Sequence, residues 1–240
     1  MSSHITIFHT NDLHSRLSYE KAIKLHNLKE SAPNSLLLDA GDAIRAGNVF
    51  VSFSKEPVLE LMSIAGYDAM TLGNREFHFL APAFRHKIGS AKFPVLCANV
   101  HPVGDAEALV VPHINLDAGK FRVAVFGLSV PMITSRMFVA RVSDYIFEDP
   151  ISAAARVVPT LRSQADLVVA LTHIGLKRDR FLADSVPGID LIIGGHSHSI
   201  LYEPEMVGFT AIVQAGSHAH SVGKIVIEPG VSVQSELIDL

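Results

Sequence analysis

The sequence predicts an α/β protein with two sheets, and the pattern of its apolar runs carries that expectation. Short runs rich in β-branched residues recur along the chain, and helix-period segments separate several of them. The last forty residues differ, with strand-like runs joined by short turns and no helix between them. One sheet is therefore expected to be more antiparallel toward the C-terminus. No repeat, low-complexity tract or Pro/Ser-rich linker marks a boundary, so residues 1–240 read as a single domain.

The elements follow in order. "HITIFH" (4–9) reads as a buried strand, and "YEKAIKLHNLKES" (19–31) as a helix with apolar residues at helical spacing. "SLLLD" (35–39) is the next strand. "EPVLELMSIAG" (56–66) has Pro57 near its start and Gly66 past its end, the expected helix punctuation. "FPVLCANV" (93–100) and "FRVAVFGL" (121–128) are further strands. "DPISAAARVVPTLRS" (149–163) starts a helix at Asp-Pro, and Pro159 argues for a break or kink in it. "ADLVVALT" (165–172) and "IDLIIGG" (189–195) complete the buried strands, before "FTAIVQAG", "VGKIVIEPG" and "SVQSELIDL".

Composition excludes several classes of function. With 48% hydrophobic and 18% charged residues, the chain is globular rather than disordered. A formal charge of -4 and no Lys/Arg run speak against binding a nucleic acid polymer. Cys97 is alone, which rules out an internal disulfide, and its apolar neighbours suggest a buried inert thiol. The start, "MSSHITIFHT", does not resemble a signal peptide, and no apolar stretch is long enough to span a membrane. A cytoplasmic setting without membrane attachment is the expectation. The chain has 13 histidines and no tryptophan, and histidine is the commonest metal ligand.

The polar residues gather where strands end. "HITIFHTNDLH" closes on Asp12 and His14, two apart and so on one side of an extended chain. "LLLDAGD" closes on Asp42, "TLGNREFHF" supplies Asn74, "VVALTHIG" closes on His173, and "LIIGGHSHS" on His196 and His198. Taken singly, each has a plain structural explanation: Asp and Asn cap helices and make turns, and a lone His is usually a hydrogen-bonded surface or core residue. Their recurrence at five strand ends points instead to one ligand site, at the edge where open α/β sheets bind ligands.

Carboxylate, imidazole and amide-carbonyl groups together suit divalent transition ions, whereas a structural zinc site would favour cysteines. Seven candidate ligands exceed the needs of one ion. If one carboxylate bridges, they divide into two sets of four with positions left open. Two divalent cations against two carboxylates leave a net charge of about +2, which attracts phosphate and makes a bridging hydroxide available near neutral pH.

In this order, "HTNDLHS", "LLDAGD", "TLGNREFHF", "LTHIG" and "GGHSH" resemble the motif blocks of the calcineurin-like metallophosphoesterases. More narrowly, they resemble the metallophosphoesterase domain of the 5′-nucleotidase and 2′,3′-cyclic phosphodiesterase family. "VQAGSHAHSVGKI" resembles the segment that follows them. The resemblance implies a four-layer α/β/β/α sandwich with a two-metal site between the sheets. It also implies that Asp12, His14, Asp42 and His198 hold one metal and that Asp42, Asn74, His173 and His196 hold the other. Mn, Fe, Zn, Co and Ni all suit such a set.

The chain departs from that family at two points. The family motif G-N-H-E-F-D supplies a catalytic His and Asp, and here those positions are Arg75 and His78. Arginine stays protonated and cannot donate a proton to a leaving group, but it grips phosphate oxygens. His78 has a suitable intrinsic pKa for proton donation, against a role in support or on the surface. Secondly, the chain stops before the nucleoside-binding domain of nucleotide-hydrolysing members, so adenosine specificity is not implied. Glu76, Asp39 and Asn11 adjoin the motifs and could orient ligands. His218 and His220 are expected in a solvated loop, and His4, His26, His86, His101 and His113 on the surface or in packing.

The expectation is thus a dinuclear phosphomonoesterase or phosphodiesterase, on nucleotides or cyclic nucleotides, with Asp42 and Arg75 at its centre. Its partner is a small-molecule phosphoester. The alternative is a metal-loaded phosphate-binding or regulatory protein without catalysis, motivated by the replaced acid. A single-iron, oxygen-dependent enzyme is disfavoured, because seven ligands are too many.

Overall fold

The computed structural model describes residues 4–47, 50–51, 56–228, 230 and 232–240. Residues 1–3 of the opening segment and Pro229 of "VGKIVIEPG" lie outside the described residues. The first half of the chain runs β1 (Ile5–Thr10), α1 (Tyr19–Ser31), β2 (Ser35–Asp39), α2 (Pro57–Ala65), β3 (Ala69–Thr71), α3 (Ala81–Ile88), β4 (Val95–Leu96), β5 (Val100–Pro102), β6 (His113–Ala118) and β7 (Phe121–Ser129). A 3-10 turn (Phe138–Arg141) then leads into β8 (Tyr145–Phe147), α4 (Pro150–Arg162), β9 (Leu167–His173), α5 (Leu176–Ser185) and β10 (Leu191–Gly194). Four strands close the fold: β11 (Glu205–Val207), β12 (Thr210–Val213), β13 (Ser221–Glu228) and β14 (Ser232–Asp239).

Two mixed six-stranded sheets result, in the orders β14-β13-β1-β2-β3-β4 and β11-β12-β10-β9-β7-β6, and β5 pairs with β8 apart from them. The period-two alternation of the strands sorts their side chains into layers. Ile5, Ile7, Leu36 and Leu38 of the first sheet meet Val123, Val125, Val169, Leu171 and Ile193 of the second in a shared middle core. Phe8, Leu37 and Met70 face the other way, onto Leu25 of α1, Leu59 and Met62 of α2, and Phe84 of α3. Phe126, Val168, Ala170 and Ile192 face Val158 and Leu161 of α4 and Leu182 of α5. The order of layers is therefore α/β/β/α. Each fully buried Leu, Ile or Phe contributes about 1.5–3 kcal/mol of transfer free energy.

Three elements differ from expectation. The C-terminal strands pair antiparallel as expected, β13 with β14 and β11 with β12, but these pairs do not share one sheet. They are shared out: β12 lies parallel to β10 in the second sheet, whereas β13 pairs antiparallel with β1 in the first. "FPVLCANV" is not one strand. After Leu96 the Cys97 and Ala98 amides turn to the carbonyls of Val111 and Gly127, and Asn99 exchanges hydrogen bonds with the Ser129 backbone. These bonds carry the chain from the first sheet toward the second. Nor does Pro159 break α4, which continues to Arg162. Both Pro159 and Ala155 are exposed, so the carbonyl that proline leaves without an amide donor faces water.

Two expectations hold at Cys97 and β1. The Cys97 thiol is buried, which pushes its pKa up to about 12. His9 is buried in β1 and lies across Gly223 of β13, where a Cβ would sit 2.0 Å from its Nε2. Among the described residues, no helix is long and apolar enough to cross a membrane.

Candidate metal centre

Strands β1, β2 and β3 run parallel in the first sheet, and β9 and β10 run parallel in the second. Their C-terminal ends deliver Asp12 and His14, Asp42, Asn74, His173, and His196 and His198 to one edge. Sequence spacing had suggested extended chain at the two-apart pairs. Instead, Asp12 (φ 52), His14 (φ 47), Asp42 (φ 56), His196 (φ 74) and His198 (φ 52) are all left-handed. Such a conformation costs about 1–2 kcal/mol at each non-glycine residue. Neighbouring loops hold it in place: the amides of Asp12, His14 and Ser15 donate to the carbonyls of Gly41, Asp42 and Ala43. Gly73 leaves room for this crossing, since a Cβ there would lie 2.2 Å from the Asp42 amide nitrogen.

The seven side chains converge. His14 Nε2 and His198 Nε2 lie 3.1 Å apart, and Asp12 Oδ1 is 3.2 Å from the latter. Asn74 Oδ1 lies 3.2 Å from His173 Nε2 and 3.1 Å from His196 Nδ1, and His173 Nε2 is 3.4 Å from Asp42 Oδ1. Ligand atoms of Asp12, His14 and His198 fall within 4.8 Å of one another, as do those of Asp12, Asp42 and His173. Both carboxylates thus sit in the middle of the cluster.

Supporting bonds fix which atoms face inward. His173 Nδ1 donates to the Ala40 carbonyl at 2.7 Å, so Nε2 points at the oxygens of Asp42 and Asn74. Asp12 Oδ2 accepts from Asn11 Nδ2 and from the His196 amide. Its Oδ1 is buried and makes no hydrogen bond. Glu76, fully buried, accepts from the amides of Gly73, Asp42 and Ile44 and so ties the loops after β2 and β3 together.

The electrostatics are those of a site that attracts cations. Burial alone lowers the proton affinity of His173, but Asp42 and Asp12 outweigh it and hold the pKa at about 9. Burial works against the Asp42 carboxylate as well, and contact with His173 overrides it to leave the pKa lowered. Burial raises Asp12, and burial together with the Asp42 charge raises Glu76 to about 7. His14 is lowered to about 4 by burial and by Arg75. An unbonded buried carboxylate oxygen, and an imidazole nitrogen aimed at two oxygens, fit divalent ions in the place of protons.

Arg75 and His78, adjacent in motif, have different surroundings. The Arg75 amide donates to Asp42 Oδ1 at 2.8 Å, its Nε lies 3.4 Å from Asp42 Oδ2, and its Nη1 donates to the Arg45 carbonyl. A guanidinium here neutralises the carboxylate where a cation is expected. His78 stacks on Phe79, and its Nδ1 accepts from the Leu80 amide. It is not among the residues lining the cleft beside the cluster.

That cleft is a cavity of about 400 Å³, lined by His14, Ser15, His198, His218 and the arginines at 16, 45 and 75. His218, expected in a solvated loop, has its ring centroid 5.0 Å from that of His14, and its amide donates to the Asp12 carbonyl. Arg16 and Arg45 were not singled out from sequence, although they follow His14 by two residues and Asp42 by three. Lys87 gave no sequence signal at all. Its buried ammonium donates to the carbonyls of Gly47, Arg75 and Phe77 at 2.6–3.0 Å, and burial lowers its pKa to about 8.

Two mixed sheets that bring Asp, His and Asn to a common edge define a metal-binding α/β/β/α sandwich. The chain belongs to the calcineurin-like phosphoesterase family, whose family model matches residues 5–199. It is 31% identical to the trifunctional nucleotide phosphoesterase protein YfkN of Bacillus subtilis over an alignment covering 92% of this chain and 18% of that protein. It is also 31% identical to the 5′-nucleotidase of Homo sapiens, over 82% of this chain and 38% of that one. Among solved structures, the 5′-nucleotidase precursor from Thermus thermophilus superposes with a TM-score of 0.84 at 25% identity, over 99% of this chain and 54% of that chain. The chain therefore spans well under half the length of these curated relatives. The family uses divalent metals.

Proposed function

We propose that the chain is a hydrolase of small-molecule phosphoesters, nucleotides or cyclic nucleotides among them, that works with two divalent ions. The observation that carries this reading is the convergence of seven Asp, His and Asn side chains around a buried carboxylate oxygen with no hydrogen bond. Asp12, His14, Asp42 and His198 are assigned to one ion, and Asp42, Asn74, His173 and His196 to the other. When bound, such ions polarise a phosphoryl oxygen and make a water acidic enough to ionise near neutral pH. The assigned ligands come from both sheets, so the sandwich acts as one catalytic unit. The relatives' names, a nucleotide phosphoesterase and a 5′-nucleotidase, support the substrate class.

The chain's own residues divide the remaining work. With Asp42 engaged in holding ions, the Arg75 guanidinium would be available to grip the phosphoryl oxygens, where charge grows in the transition state. It cannot protonate the leaving group. His78 is no better placed to do so, with Nδ1 already accepting from the Leu80 amide. Leaving groups therefore depart without an acid. General acid catalysis is ordinarily worth roughly 10² or more, so aryl phosphates should outrun alkyl phosphates by about that factor.

The test is turnover of phenyl phosphate, butyl phosphate, a bis-aryl phosphodiester and cyclic nucleotides with Mn²⁺, Co²⁺, Ni²⁺ or Zn²⁺, beside elemental analysis. Equal rates on phenyl and butyl phosphate would refute the missing acid. Bound metal without turnover on any substrate would support the second reading, a metal-loaded binding protein. The hold of Arg75 on Asp42 is the observation that favours it.

A further inference from the structure

We infer that the cavity beside the metal centre recognises a second anionic group, so that the preferred substrates are phosphoesters carrying another phosphate away from the scissile one. This rests on the hydrolase reading above. His14 and His198 line the cavity and belong to the cluster, so the cavity continues directly from the place of reaction. Arg75 is the nearer of its cations and is committed to Asp42 and to the Arg45 carbonyl. Arg16 and Arg45 are not committed. Both are exposed, and among the described residues neither pairs with a carboxylate. Elsewhere on the surface arginines do find such partners: Arg85 with Glu107, Arg156 with Glu148, Arg162 with Asp190, Arg178 with Asp149 and Arg180 with Glu205.

The walls supply a second indication. Among the described residues, no aliphatic, Phe, Tyr or Trp side chain lines the cavity, so it has no hydrocarbon wall to bury an alkyl group. What extends from the scissile phosphate into this space meets the guanidinium groups of Arg16 and Arg45, and those recognise anions. A phosphate fits best, because the planar fork of arginine binds two of its oxygens at once. A plain monoester leaves Arg16 and Arg45 in water, and only a substrate with a second phosphate engages them.

The experiment compares 1,4-phenylene bisphosphate with phenyl phosphate, substrates with similar leaving groups, on the metal-loaded protein. After correction for the two equivalent ends of the bisphosphate, its kcat/KM is expected to be at least tenfold higher at low ionic strength. Added salt should shrink that ratio, since the contacts are solvent-exposed. Arg16→Gln and Arg45→Gln should each lower the ratio threefold or more, and the double variant should bring it near one. Turnover of both compounds at a ratio near one, or a ratio unmoved in the double variant, would overturn the second-anion site and leave the hydrolase reading standing. Turnover of the phosphodiesters or cyclic nucleotides but of neither aryl phosphate would likewise overturn the second-anion site, and bound metal with no turnover of any of these substrates would overturn the hydrolase reading itself.

Discussion

His9 shows how much a single residue couples this fold to its solvent. It is buried without a hydrogen bond at Nδ1, and burial lowers its pKa to about 3. Between that value and the ordinary 6.5 the unfolded chain binds a proton that the folded chain refuses. The associated stability is complete above about pH 6.5 and is lost as pH falls toward 3, at no more than about 1.4 kcal/mol per pH unit. His9→Asn removes this dependence. In urea unfolding the variant should therefore gain on the wild type as pH falls through that window, and a gap independent of pH would exclude the effect. At this scale, sequence offered the chemistry of the metal-binding residues and no view of their supports. Asp12, Asp42 and His173 announce themselves by following strands, whereas Lys87 is one lysine among several until the fold buries it. Arg16 and Arg45 stood beside recognised motifs, but the cavity that gives them meaning is tertiary.

Loops rather than strands decide the geometry at the scale of elements. The strand ends are rigid, and the turns after them take left-handed conformations that sequence spacing cannot reveal, because Asp and His carry no backbone signature comparable to glycine. Short amphipathic pieces were likewise hard to see: α3 and α5 follow directly on the "TLGNREFHF" and "LTHIG" motifs and have few apolar residues. One helix reaches into the site. Lys87, from α3, holds the Arg75 and Phe77 carbonyls on one loop and the Gly47 carbonyl on another, so it sets where Arg75 begins. Lys87→Met should lower kcat by about tenfold, comparable to Arg75→Ala. In an Arg75→Ala background it should add little. Independent, multiplicative losses in the double variant would reduce Lys87 to a contributor to stability.

At the scale of the whole molecule, the order of polar strand ends made the class legible and even the four layers, through resemblance. The partition of the last strands between the two sheets was not legible, because β-periodicity says which face is buried and not which neighbour is chosen. The candidate ligands span both sheets, which makes bound ions a clasp between them. Ligation of the native state alone stabilises by about 4 kcal/mol when the free metal exceeds its Kd a thousandfold. Chelation should accordingly lower Tm by several degrees and restore it on addition of Mn²⁺ or Zn²⁺. An Asp42→Asn variant should lose most of that response in calorimetry, and an undiminished one would remove Asp42 from the centre.

The pairing of β13 with β1 has a consequence for how the molecule is made. Ile5 lies opposite Ile227, and the Asp12 carbonyl receives the amide of His218, so β1 completes its neighbours only when more than two hundred further residues have followed it. Until then one flank of that strand is an open template for any extended peptide nearby. A nascent chain stalled before β13 emerges thus exposes an aggregation-prone edge, and that edge closes only by a contact of high sequence separation.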